Sequence, residues 1–183
     1  MILLIKQLRL FGVSDIEENN SKAKKNNMAI EIGKQAPGFS LYDTNKKKLS
    51  LTDLAGKNVL LLFFPQAFTG VCTKELCSVR DDIAKYQNAD AEVIGISVDS
   101  VFTLNKFRED QAYNFTLLSD FNKEVSALYG CLYTDWILDM KGVSKRSAFI
   151  IDRTGVLRYA EVLESAGELP DFAAIEKNLS DLS

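Results

Sequence analysis

Asn58-Val-Leu-Leu-Leu-Phe-Phe64-Pro65-Gln66-Ala67-Phe68-Thr69-Gly70-Val71-Cys72-Thr73-Lys74-Glu75-Leu76-Cys77 is the stretch from which the fold is read. Val59 to Phe64 is an unbroken apolar run closed by a proline. Such a run is too short for a helix and suits a strand buried on both faces. From about Cys72 to Asn88 the period changes, and Leu76, Val79, Ile83 and Tyr86 fall on one helical face. A central strand therefore hands over directly to a helix.

The same alternation extends outward. Downstream, Glu92 to Val98 reads as a second buried strand, and Asp99-Ser100 caps a helix running to about Gln111. Phe115 to Leu118 is a short strand, and Lys123 to Tyr129 a helix stopped by Gly130. Ser147 to Ile151 and Val156 to Ala160 flank the loop Asp152-Arg-Thr-Gly155. A last helix spans about Pro170 to Asp181, with the proline in its first turn. Upstream, Phe39 to Asp43 and Lys48 to Leu51 form a hairpin around Thr44-Asn45, followed by a helical turn that Gly56 stops. Tyr133 to Lys141 carries neither period and reads as a loop near the active site. The pattern implies an α/β fold, with an N-terminal β-hairpin and a central mixed β-sheet flanked by helices.

The chain has 183 residues, 46% apolar, with a net charge of −3. That length fits one domain with a sizeable core. A mildly acidic chain lacks the basic footprint of a nucleic-acid binder. No apolar run is long enough to cross a membrane. The start, Met1 to Lys6, lacks the basic flank and cleavage site of a secretory signal, so a cytoplasmic protein is expected. Ser14 to Asn27 is too polar to offset its ordering entropy. Residues 1–27 are read as a flexible extension and residues 28–183 as the folded domain.

The chain contains no histidine and three cysteines. Ser-His-Asp and Cys-His catalysis are thereby excluded, as are the common zinc enzymes. Any nucleophile must be activated some other way. Cys72, in the first turn of its helix, meets unpaired backbone N–H groups and the positive end of the helix dipole, which stabilise a thiolate. Thr69 offers a hydroxyl beside it, and the N–H groups of Val71 and Cys72 complete a polar cradle. Arg146, at the entry to another apolar strand, supplies a permanent positive charge. Read singly, each residue has a plainer use: a buried thiol as packing, a threonine as a cap, an arginine as a solvated strand-end charge.

The combination resembles the peroxiredoxin family. Pro65, Thr69 and Cys72 match its Pro-x-x-x-Thr-x-x-Cys motif, Arg146 matches the arginine before Ala148-Phe-Ile-Ile-Asp152, and Ile32-Gly33-Lys34-Gln35-Ala36-Pro37-Gly38-Phe39 matches its opening. The resemblance implies a thioredoxin-like fold and a thiol peroxidase that needs no metal or organic cofactor. Cys72 would be the peroxidatic cysteine, Thr69 and Arg146 would polarise the peroxide bond, and Pro65 would shield the site. Glu75, one turn after Cys72, is a further candidate for the substrate site with Val71. The expected reductant is a thioredoxin-like protein or another thiol, and the expected assembly a monomer or homodimer.

Three thiols can regenerate Cys72. Cys77 lies five residues on, a spacing similar to that of the bacterioferritin comigratory protein-like group. On an intact helix the two would stand ~7.5 Å apart along the axis and point ~140° apart, so the first turns must unwind. Phe64 to Cys72 is also similar to the alkyl hydroperoxide reductase E-like group, in which an external thiol serves. Cys131, after the helix stop at Gly130, is the third candidate and is expected on a mobile loop. Two other readings remain open: a thioredoxin-type dithiol oxidoreductase, weakened by the absence of Cys-x-x-Cys, and a redox-responsive interaction module built on Phe68, Tyr133 and Trp136.

Overall fold

The computed structural model describes residues 30–182, and the extension expected over residues 1–27 lies outside them. The elements run β1 (Ser40–Asp43), β2 (Lys48–Ser50), a 3-10 turn (Leu51–Leu54), β3 (Asn58–Phe63), α1 (Gly70–Asp81), α2 (Ile83–Asn88), β4 (Ala91–Ser97), α3 (Val101–Gln111) and β5 (Thr116–Ser119). They continue with α4 (Glu124–Leu128), β6 (Leu132–Tyr133), a 3-10 turn (Ile137–Asp139), β7 (Val143–Ser144), β8 (Ser147–Ile151), β9 (Leu157–Val162) and α5 (Phe172–Ser180).

Seven strands form one mixed sheet in the order β2-β1-β5-β4-β3-β8-β9. β3 pairs in parallel with β4 and antiparallel with β8, which places it in the middle. Every residue of β3 is buried, as its apolar run requires. Alternation then splits the core in two. Leu60, Leu62 and Phe64 pack with side chains from α1, α2, α3 and α5 on one face. Val59, Leu61 and Phe63 pack on the other with Val125 and Tyr129, around α4, and with Leu54 and Phe39.

The structure departs from the sequence pattern at four places. The helix after β3 begins at Gly70, two residues before Cys72, and breaks at Asp82 although the apolar period continues through Ile83 and Tyr86. Pro170 precedes the final helix instead of entering it, because Asp171 is the cap and its carboxylate accepts from the Ala174 N–H. Residues 133–141 are part of a small ribbon, with β6 and β7 pairing across them. Ser100 alone caps α3, accepting from the Thr103 N–H, and Asp99 has a different partner.

Candidate active site

The site lies where β3 ends. Pro65 is buried there and prevents further pairing, and the chain turns through Gln66, Ala67 and Phe68 into α1. Phe68 takes a left-handed φ of 63°, a strained choice for a bulky residue. Two contacts hold it. Its ring packs on Phe107 at 4.9 Å, and the preceding Ala67 N–H donates to Asp99 Oδ2 at 2.8 Å. The same carboxylate oxygen accepts from Ser97 Oγ at 2.8 Å. Burial pushes the Asp99 carboxyl up, against these two donors. Sequence reading missed this latch. The parallel register provides the signal, since Phe63 pairs with Ile96 and the residues just beyond, Gln66 and Asp99, leave the sheet side by side.

Thr69 is the N-cap of α1 and its carbonyl accepts from the Thr73 N–H at 2.9 Å. Its hydroxyl donates to the Gln66 carbonyl at 2.9 Å, which fixes its orientation and leaves its oxygen lone pairs to accept. Val71 and Cys72 follow in the first turn, where backbone N–H groups have no intrahelical acceptor.

Cys72 is 1% exposed, and its sulfur accepts from Arg146 Nη2 at 3.3 Å. The antiparallel register explains the meeting. Phe63 pairs with Ser147, so Arg146, one residue earlier, arrives beside the end of β3 where α1 starts. Glu75, one turn after Cys72 on the same helical face, is fully buried and ion-pairs with Arg146 Nη1. Nη2 also donates to the Ala166 carbonyl at 3.0 Å. The guanidinium is thus fixed by a carboxylate, a carbonyl and the sulfur itself. Burial alone would lower the Arg146 pKa, but the charges of Glu75 and Cys72 outweigh it and the net shift is upward. Glu75 therefore joins the site through Arg146.

Burial pushes Glu75 up to about 7, with Arg146 opposing the shift. Between its ordinary 4.5 and about 7 the folded chain holds a proton that the unfolded chain has lost. Stability then falls as pH rises through that window and levels above it. Glu75→Gln is expected to flatten the fall. Melting midpoints of both proteins across the window check this, and parallel drops would contradict it.

The other two cysteines lie elsewhere. Cys77 is half-buried on α1 and donates to Gln111 Oε1 at 3.6 Å. Cys131 lies in the loop between α4 and β6 and is fully buried on the opposite face of the sheet from Cys72, with its N–H bonded to the Ser126 carbonyl at 2.9 Å. Burial pushes its thiol up to about 12. The expected aromatic group is divided, with Phe68 on Phe107 and Tyr133 stacked with Trp136 at 6.4 Å. Met140 and Lys141, from the ribbon, line an open groove with Pro65 and Gln66, so this segment does border the site.

The chain as a whole is similar to known proteins. Residues 32–160 match the AhpC/TSA family. Alkyl hydroperoxide reductase E of Mycobacterium tuberculosis is 37% identical over 145 residues, covering 78% of this chain and 91% of that protein. A putative peroxiredoxin bcp of Coxiella burnetii is 40% identical over 132 residues, covering 71% of this chain and 87% of that protein. Among solved structures, the peroxidoxin BcpB of Mycobacterium tuberculosis superposes with a TM-score of 0.70 at 30% identity, over 84% of this chain and 96% of that one. The central mixed sheet, its flanking helices and these matches together place the chain in the AhpC/TSA family, as an enzyme of peroxiredoxin type.

Proposed function

We propose that the chain reduces hydrogen peroxide and organic hydroperoxides to water or alcohol through Cys72. The observation that carries this reading is the Cys72 sulfur, in the first turn of α1, accepting from Arg146 Nη2 at 3.3 Å. The thiolate attacks one peroxide oxygen and the O–O bond breaks. The other oxygen departs as alkoxide or hydroxide and takes a proton from solvent to become alcohol or water, and Cys72 becomes a sulfenic acid. Charge grows on the departing oxygen, where Arg146, the first-turn N–H groups and the Thr69 hydroxyl provide a preset polar environment. Glu75 and Ala166 hold the guanidinium in place, and Asp99 holds the loop that carries Thr69.

Regeneration runs through Cys77 or an external thiol such as a thioredoxin-like protein. Cys131 is the candidate least suited to it, since it packs in the core on the other face of the sheet from Cys72. Cys77 requires α1 to unwind, since the helix is continuous over both cysteines. The test is one equivalent of hydrogen peroxide followed by mass mapping. Wild type is expected to give a Cys72–Cys77 disulfide, and Cys77→Ser protein to accumulate Cys72 sulfenic acid. If Cys77→Ser recycles with thioredoxin at an unchanged rate, the external thiol is the reductant.

A further inference from the structure

Cys77 sits among polar groups that the peroxide step does not use. Its thiol donates to Gln111 Oε1 at 3.6 Å. Arg80, one turn on, donates from Nη1 to the Gln111 carbonyl at 2.6 Å, and its own carbonyl accepts from Asn114 Nδ2 at 3.1 Å. These bonds tie the second half of α1 to the end of α3. There Ala112 turns left-handed, with φ 52°, and directs Tyr113 inward. The Tyr113 ring packs edge-on against Phe107 at 5.0 Å and lies 5.4 Å from Phe115.

The Tyr113 hydroxyl is the unexplained group. The residue is 6% exposed, and its oxygen is buried with no hydrogen-bond partner among the described residues. Burial first, and then the neighbouring Cys77 sulfur, push it far above the ordinary phenol range, with a smaller push from Cys72. An orphaned buried hydroxyl is costly, and a phenylalanine would avoid that cost. The acceptor it lacks is close by in another protonation state. As a thiol, Cys77 gives its proton to Gln111. As a thiolate, the same sulfur accepts, and Tyr113 is a donor without another use.

We propose that Tyr113 is a positioning residue for Cys77, forming with Gln111 and Arg80 a polar seat that receives the Cys77 thiolate. The inference rests on the reading that Cys77 resolves the Cys72 sulfenic acid. In that step the Cys77 thiolate attacks the Cys72 sulfur and the S–O bond breaks. The departing hydroxide takes a proton from solvent and leaves as water. Cys77 is oxidised and Cys72 reduced to the level of a disulfide. Arg80 and Asn114 hold the second half of α1, so the first turns are the part that moves and they carry Cys72 to the seat.

Alkylation tests this without needing the disulfide. Cys72→Ser protein is treated with iodoacetamide near neutral pH, and the rate at Cys77 is followed by peptide mass. Adding Tyr113→Phe is expected to slow Cys77 about tenfold, the effect of one lost charge-assisted hydrogen bond. The melting midpoint is expected to hold or rise, because the hydroxyl removed has no partner. Equal alkylation rates overturn the proposal. A slower rate with a lowered midpoint also overturns it, by giving Tyr113 a structural role. A wild type that forms no Cys72–Cys77 bond after peroxide defeats the resolver reading alone, and the alkylation rates still judge the seat.

Discussion

Cys72→Ser protein is expected to consume hydroperoxide at least about a thousandfold more slowly than wild type while keeping its fold. The substitution exchanges one buried acceptor for another, so Arg146 Nη2 keeps a partner and Glu75 keeps its ion pair. Melting midpoints close to those of wild type would confirm an intact site. No other thiol stands ready to take over. Cys77 gives its proton to Gln111 and lies outside the bonds of Arg146, and Cys131 is sealed in the opposite core with its thiol pushed up to about 12. Peroxide consumption coupled to a thioredoxin-type reductant reads the effect. Retained turnover would place the chemistry on a different residue.

Arg146→Met is expected to do two things that a second substitution separates. It removes the cation on the Cys72 sulfur and on the developing oxygen charge, which should slow peroxide attack about 100- to 1000-fold. It also leaves Glu75 fully buried without its ion pair, when the other carboxylate oxygen already has no partner among the described residues. Breaking such a pair costs about 3–5 kcal/mol. Adding Glu75→Gln removes the carboxyl that must otherwise take up a proton to stay buried, so the double variant should regain most of the stability and none of the rate. Urea midpoints and stopped-flow peroxide kinetics on both variants check this. Full recovery of the rate in the double variant would make Arg146 a structural residue.

The site's centre was legible because its residues are local and chemically distinctive. Val59 to Phe64 announces a buried strand, Pro65 ends it, and Cys72 follows within one loop and one helical turn. What stayed hidden depends on pairing across the sheet. Asp99 stands before a helix and reads as its cap. Its bond to the Ala67 N–H, 32 residues away, exists because β3 and β4 run in parallel register. Glu75 carries a charge and no local sign of burial, because its partner lies 71 residues downstream at the entry to β8. Cys131 follows a glycine and does lie in a loop, but its N–H closes the end of α4 and turns the thiol into the core. β6 and β7 are two residues each, too short to show a period.

The absent histidine gives the account its particular form. With no imidazole in the chain, the proposed chemistry of Cys72 would rest on the start of α1, on Thr69 and on Arg146 held by Glu75. The most direct test traps the oxidised sulfur. Cys77→Ser protein is treated with one equivalent of hydrogen peroxide in the presence of dimedone, and the adduct is located by peptide mass. A single dimedone adduct on Cys72 at near-full occupancy is expected, lost when Arg146→Met is added and the exposure is kept brief. An adduct on Cys131, or prompt consumption of peroxide with Cys72 unmodified, would contradict it.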